Sequence, residues 1–195
     1  MQKIKVLALG LIIGVSYNCK EVKKEAKEGM EEMETAVEEI KEEVQATTIK
    51  FAMEPKSDSN VKGEVTFTST DGKVMMVAVL SGLTEGEHAI HIHEKADCSS
   101  ADGKSTGGHW NPTFQPHAKW GAEEGYHKGD IGNFMADAEG NATVEFSTDE
   151  WCIGCGDDTK DILGKAVIVH QGIDDFTSQP SGAAGARVSC AGIIQ

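Results

Sequence analysis

Seven side chains between positions 91 and 170 have the types and spacings that hold metal ions. His91 and His93 alternate in His88-Ala89-Ile90-His91-Ile92-His93, with Glu94 following. On a β-strand, side chains two apart share a face, and their Cα atoms lie roughly 6.5–7 Å apart. Two imidazoles at that span can close on one ion. Ile90 and Ile92 would then point the other way, into a core. His109, His117, His127 and Asp130 follow at spacings of 8, 10 and 3, and His170 ends a later apolar run. Imidazole suits zinc and copper. Three His and one Asp meet zinc's tetrahedral demand and leave no position for water, as in a closed structural site. His91, His93 and His170 would leave room around a second, open metal. A His109 that used both ring nitrogens could bridge the two ions.

The elements that must position these groups are strands. From Thr47 onward the hydrophobic pattern has period 2. Runs at 48–53, 63–68, 73–80, 87–93, 132–137, 142–147, 165–170 and 186–194 read as eight strands. Asp71-Gly72 between the second and third is a hairpin signal. Two long stretches break the rhythm: 94–130, rich in Gly, His and Asp, and 171–185. So much irregular chain inside a compact domain marks functional loops. Eight short strands in this length predict an all-β antiparallel barrel or sandwich.

The N-terminal part reads differently. Lys3 and Lys5 precede an apolar run from Val6 to Val15, too short to span a bilayer and suited to a secretory signal. Ser16-Tyr17-Asn18-Cys19 follows and resembles a bacterial lipoprotein signal, in which Cys19 becomes the lipidated N-terminus. Asn18 is larger than the residue usual there, and a plain cleaved signal is the alternative. Residues 20–46 hold 5 Lys and 10 Glu. In them Ala26, Met30, Met33, Val37, Ile40 and Val44 form a short a/d stripe. A charged spacer helix is the expectation, with a short oligomerising coiled coil as the alternative. The expected division is 1–18 signal peptide, 19–46 lipidated cysteine and charged helical linker, and 47–195 the folded domain.

The chain carries a net charge of −14. That argues against nucleic-acid binding and against electrostatic docking on anionic membranes. Membrane attachment would come only through the N-terminal lipid. The five cysteines are Cys19, Cys98, Cys152, Cys155 and Cys190. With Cys19 assigned to the signal, the other four would sit where disulfides persist.

At the metal-binding segments the sequence resembles the copper/zinc superoxide dismutase family. Gly86-Glu87-His88-Ala89-Ile90-His91-Ile92-His93-Glu94 is similar to the family's first copper-ligand strand. Gly108-His109-Trp110-Asn111-Pro112 resembles the bridging-histidine segment. Tyr126-His127-Lys128-Gly129-Asp130-Ile131-Gly132-Asn133 resembles the exit of the zinc loop. Val167-Ile168-Val169-His170 resembles the last copper-ligand strand, and Gly185-Ala186-Arg187-Val188-Ser189-Cys190 the arginine and disulfide segment. The likeness runs in order from about 47 to 195.

The resemblance implies an eight-stranded Greek-key β-barrel and the copper-catalysed disproportionation of superoxide to dioxygen and hydrogen peroxide. It implies one copper and one zinc per subunit. Copper would be held by His91, His93, His109 and His170, and zinc by His109, His117, His127 and Asp130. Asp174 would join a copper histidine to a zinc histidine. His109 would also carry a proton. Arg187, the only arginine of the chain, would attract the anionic substrate. His88 would pack structurally, Asp175 would be a loop charge and Ser181 would line the channel mouth. Cys98 and Cys190 would form the intradomain disulfide.

Some segments depart from the family pattern. The stretch from Cys98 to His109 is long. The loop from His170 to Arg187 is short and lacks lysine, which weakens the case for long-range steering of substrate. Cys152-Ile153-Gly154-Cys155 is unfamiliar. A second local disulfide is expected there, because a thioredoxin-like redox pair lacks its strand-to-helix setting. A zinc or copper site would need partners that the sequence does not name. An exported, envelope-anchored enzyme, periplasmic or on the outer membrane, is the leading functional expectation. A copper-buffering domain and an interaction lipoprotein with structural metals are the alternatives. The oligomeric state is left open, a homodimer included.

Overall fold

The computed structural model describes residues 46–194. The signal peptide expected at 1–18 and, apart from Ala46, the lipidated cysteine and charged linker expected at 19–46 lie outside the described residues. The compact unit begins at Ala46.

Eight strands form: β1 (Thr47–Pro55), β2 (Lys62–Thr70), β3 (Lys73–Ser81), β4 (Gly86–His93), β5 (Gly132–Ala136), β6 (Ala142–Thr148), β7 (Ala166–His170) and β8 (Arg187–Gly192). Each expected strand is present, with ends shifted by a few residues. All pairings are antiparallel, in the order β5-β4-β7-β8-β1-β2-β3-β6. The two outer strands are consecutive in the chain, joined by a tight turn in which the Asp137 N–H bonds the Asn141 carbonyl at 2.9 Å. The sheet thus curls into a nearly closed barrel, which removes most of the edge a flat sheet would expose. β2 and β3 meet at Asp71-Gly72, where Thr70 pairs with Lys73. Both turn residues have positive φ, 52° and 73°, the backbone a two-residue hairpin requires.

The barrel is filled by inward side chains such as Val65, Phe67, Val74, Met76, Ile90, Ile92, Val167 and Val169. β3 shows plain alternation, one side buried and one side wet. β7, Ala166–His170, is buried at every residue. Its pairing explains this. His91 lies opposite Ile168, and His93 opposite Ala166. Val167 and Val169 face the barrel interior, while Ala166, Ile168 and His170 face outward beneath the loops. There Ala166 and Ile168 pack with Cys190 and Cys98 in a second small cluster. β4 and β7 are therefore a wall with core on one side and loop chemistry on the other.

The segment 94–131 covers that wall and holds one short 3-10 turn, Lys104–Thr106. Backbone hydrogen bonds lace it to β4. The Trp110 N–H bonds the Ile92 carbonyl at 2.8 Å, the Ile92 N–H the Gly129 carbonyl at 2.9 Å, and the Gly129 N–H the Trp110 carbonyl at 3.0 Å. Any Cβ at Gly129 would overlap the Ile92 carbonyl oxygen. Only glycine lets the two ends of the loop approach the strand this closely.

A second attachment lies at the far side of the loop. Trp120 packs on Phe146, Tyr126 and Trp151 with ring centroids 4.8, 4.8 and 5.9 Å away. The Trp151 indole N–H donates to the Lys128 carbonyl at 2.8 Å. Glu150 accepts from the Tyr126 hydroxyl at 2.5 Å and pairs with Lys128.

Candidate metal centre

The structure draws the seven candidate ligands into two adjoining groups. His91, His93, His109 and His170 form one, and His109, His117, His127 and Asp130 the other. Within each group the ligand atoms lie within 4.8 Å of one another, and every member is buried. His109 belongs to both. It is brought there by an antiparallel bridge to His93 at the end of β4. Its ring centroid lies 4.0 Å from that of His91 and 5.3 Å from that of His117.

The hydrogen bonds show which ring nitrogens are taken and which are left. His91 Nε2 bonds one oxygen of Asp174 at 2.9 Å, and His117 Nε2 bonds the other at 2.8 Å. His93 Nδ1 bonds the Gly107 carbonyl at 3.0 Å. His109 Nδ1 lies 2.8 Å from Asp130 Oδ1. The opposite nitrogens have no partner: His91 Nδ1, His93 Nε2, His109 Nε2, His117 Nδ1, His127 Nδ1 and both nitrogens of His170. Buried polar atoms are seldom left unsatisfied. Seven orphaned imidazole nitrogens in one region fit metal coordination.

The second group shows the same signature in another way. His117 Nδ1 and His127 Nδ1 sit 3.0 and 3.2 Å from Asp130 oxygens, yet neither is aligned to donate. They point with the carboxylate at a shared centre rather than at one another. Three nitrogens and one carboxylate match a closed zinc site, and four nitrogens match copper.

Electrostatics supports the donor assignment. Burial pushes His91, His93 and His170 below the usual imidazole range, the last two far below it. Burial likewise pulls His109 down to about 4, against the Asp130 carboxylate that would raise it. Neutral imidazole is the form that binds metal. His117 also loses hydration, but Asp130 and Asp174 outweigh this and raise it to about 9. Both carboxylates are held well below the ordinary range despite burial, because the histidines packed against them favour the ionised form.

Two reciprocal amide clamps, which the sequence did not reveal, fix the surroundings. Asn133 receives the Asp174 N–H at 2.8 Å and donates to the Asp174 carbonyl at 2.9 Å. Gln179 does the same to His117, at 2.9 and 2.7 Å. Asn133 lay within a segment already singled out; nothing about Gln179 distinguished it from other loop amides.

His88 joins neither group among the described residues. Its nitrogens face the carbonyls of His170 and Thr84 at 3.0 and 2.9 Å, which makes it a strut behind β7. Asp175 is exposed and closes its own turn on Thr177 and Ser178. Ser181 lines the mouth of the cleft.

That cleft, of about 820 Å³, opens onto His93, His109 and His170, with Lys104 and Arg187 on its wall. Arg187 Nη1 donates to the Gly103 carbonyl at 2.9 Å and to the Thr106 hydroxyl at 3.0 Å. Thr106 in turn donates to Gly103 at 2.8 Å. Both Nη1 protons are thereby used, leaving Nε and Nη2 for an anion. The loop that holds the guanidinium is tied down by the Cys98–Cys190 disulfide, whose Cα atoms are 6.0 Å apart. The structure also pairs Cys152 with Cys155.

Residues 61–193 match the family model described as copper/zinc superoxide dismutase. The chain belongs to the copper/zinc superoxide dismutase family. Three similar proteins bear that name. One from Caulobacter vibrioides is 37% identical over 141 residues, which span 71% of this chain and 80% of that protein. One from Aquifex aeolicus is 33% identical over 144 residues, spanning 71% and 82%. An extracellular one from Drosophila melanogaster is 37% identical over 160 residues, spanning 77% and 84%. Among solved structures, a double mutant of a SOD-like protein from Bacillus subtilis aligns with a TM-score of 0.67 and 28% identity, over 75% of this chain and 97% of that one. The unmutated SOD-like protein aligns with a TM-score of 0.66 and 27% identity. This superoxide dismutase uses copper and zinc, and superoxide is its substrate.

Proposed function

We propose that His91, His93, His109 and His170 hold copper, that His109, His117, His127 and Asp130 hold zinc, and that Arg187 receives superoxide. The observation that carries this reading is the membership of His109 in both groups. Its Nε2 is unpartnered and its Nδ1 faces Asp130. One ring so placed would serve both cations.

When bound, copper supplies the one-electron redox couple that zinc, with no redox chemistry of its own, cannot. The overall reaction converts two superoxide anions and two protons into dioxygen and hydrogen peroxide. The protein's part is positioning and proton supply. Arg187 offers Nε and Nη2 at the cleft and gives an acidic surface one fixed positive focus. Asp174 orients His91 and His117 together, so neither ring can turn without disturbing the other. His109 Nε2, in the cleft wall, is the atom that can hold a proton close to a bound anion.

The test is direct. The copper- and zinc-loaded protein should dismutate superoxide rapidly. His109→Ala should lose most of that activity and at least one metal, while Arg187→Ala should retain both metals and lose rate. Equal activity in all three proteins would remove the assignment.

The same reading extends to the cell. Two disulfides and an extracellular relative support export to an oxidising compartment. In this reading 1–18 is the signal, Cys19 the lipid anchor and 19–46 the tether that keeps 47–195 clear of the membrane. Metabolic labelling with a fatty-acid analogue should mark the wild type and not Cys19→Ser. Light scattering on chains with and without 20–46 reads the oligomeric state and any part the a/d stripe has in it.

A further inference from the structure

Cys152 and Cys155 lie outside the centre just described, and the established reaction does not use them. Both disulfides are present, but their settings differ. Cys190 is 0% exposed, in β8 beneath the loops, and its partner Cys98 packs into the same cluster. Cys155 is exposed and Cys152 partly so. The two pairs span 92 and 3 residues respectively. Closing so short a loop removes less entropy from the unfolded chain than closing the long one, so this bridge stabilises the fold less.

The loop does not depend on the bridge for its shape. Asp161 sits at its centre and accepts three backbone N–H groups: Gly154 at 2.9 Å, Gly156 at 3.0 Å and Leu163 at 3.0 Å. Cys152 is fixed on both sides, its N–H on the Lys160 carbonyl at 2.9 Å and its carbonyl under the Ile162 N–H at 3.1 Å. Ile162 is itself a core residue. Opening the disulfide would therefore leave both cysteines in place.

The two sulfurs and a carboxylate oxygen of Asp161 all lie within 4.8 Å of one another. A carboxylate has about four acceptor positions, and three are taken. One position on Oδ2 remains. Two thiolates and one carboxylate are a zinc-type donor set, with water to complete the tetrahedron. Asp157 and Asp158 in the same loop add negative charge that favours a cation.

We propose that Cys152, Cys155 and Asp161 form a redox-gated zinc site, separate from the copper/zinc centre and open only when the disulfide is reduced. An external dithiol supplies the electrons. Its two sulfurs become a disulfide, the Cys152–Cys155 bond breaks, and each cysteine takes up one proton. Zinc binding then displaces those two protons. In the oxidised form the sulfurs are bonded to each other and the site is closed.

The test uses the full, copper- and zinc-loaded chain. It is treated with a water-soluble dithiol, desalted without air and titrated with zinc. Native mass spectrometry counts metals, and alkylation mapping shows which cysteines opened. The proposal expects Cys152–Cys155 to open first and one zinc to be gained beyond the untreated protein. Cobalt in its place should give a thiolate charge-transfer band, which a His/Asp site cannot produce. Cys155→Ser should lose both signals, and Asp161→Asn should weaken zinc binding at least tenfold. No added zinc in the reduced wild type would overturn the proposal. So would an extra zinc that survives Cys155→Ser, or Cys98–Cys190 opening first.

Discussion

His91 and His117 grip opposite oxygens of one carboxylate, Asp174, at 2.9 and 2.8 Å. Each ring thereby turns its other nitrogen toward a different metal group, so Asp174 couples the two groups mechanically. Asp174→Asn can satisfy one ring as an acceptor but presents an NH₂ to the other. Metal affinity should fall by roughly 10- to 100-fold. Competition with a chelator, scored separately for copper and zinc, should show both affected. Loss of one alone would mean that the coupling is not carried by this carboxylate.

The guanidinium clamp makes a second prediction. Thr106 is fully buried, and its hydroxyl fills one of the two bonds made by Arg187 Nη1. Thr106→Val keeps the shape and deletes the acceptor. It should lower kcat/KM several-fold, with both metals retained and Thr106→Ser near wild type. Because Arg187 is the only arginine, a single guanidinium signal in ¹⁵N NMR reports its order directly, and that signal should broaden or shift in the Val variant.

Acid should destabilise the metal-free protein. His109 has an ordinary value of 6.5 unfolded and about 4 folded, chiefly through burial. A depressed folded value means that the unfolded state binds the proton first. The stability is complete above 6.5 and is lost as pH falls toward about 4, by on the order of 3 kcal/mol for this residue alone. His93 and His170 shift the same way. Thermal unfolding of the metal-free chain across this range should show a falling Tm. A flat profile would contradict the burial of these rings.

Gly129→Ala should separate the metal loop from β4. The new Cβ overlaps the Ile92 carbonyl, which receives the Trp110 N–H. The cost should be about 2–4 kcal/mol, in line with other severe backbone or packing lesions. It should appear as faster amide exchange at Trp110 and weaker zinc binding, with the barrel still folded.

Cutting the long disulfide should cost more than cutting the short one. Cys98 and Cys190 are 92 positions apart, worth about 4–5 kcal/mol by the chain-entropy estimate, against about 2 kcal/mol for the short bridge. Denaturant unfolding of Cys98→Ala/Cys190→Ala and Cys152→Ala/Cys155→Ala should rank in that order.

Much of the barrel was legible because its strands obey a strong local rule. The alternation at 73–80 and the Asp71-Gly72 turn need no knowledge of the rest of the chain to be read. β7 was less marked, since Ala166–His170 is buried throughout and shows no alternation; it read as a short apolar strand, and its role as a ligand strand came from the family likeness. For the site, histidine is rare enough that six copies at telling positions, with Asp130, stand out. The clamps are different. Thr106, Asn133 and Gln179 are ordinary polar residues in loops without periodicity, and their partners lie 81, 41 and 62 residues away. Asp161 was equally silent. It holds its neighbours through backbone groups, which carry no side-chain signature.

All three tryptophans of the chain stand at the metal loop. Trp110 follows His109 directly, Trp120 lies within the loop, and Trp151 holds the Lys128 carbonyl from outside it. The protein thus carries a built-in optical gauge. Intrinsic fluorescence, with no added dye, should track occupancy of the zinc loop in real time, and the emission of Trp120 and Trp151 should redden when that loop lifts from the barrel.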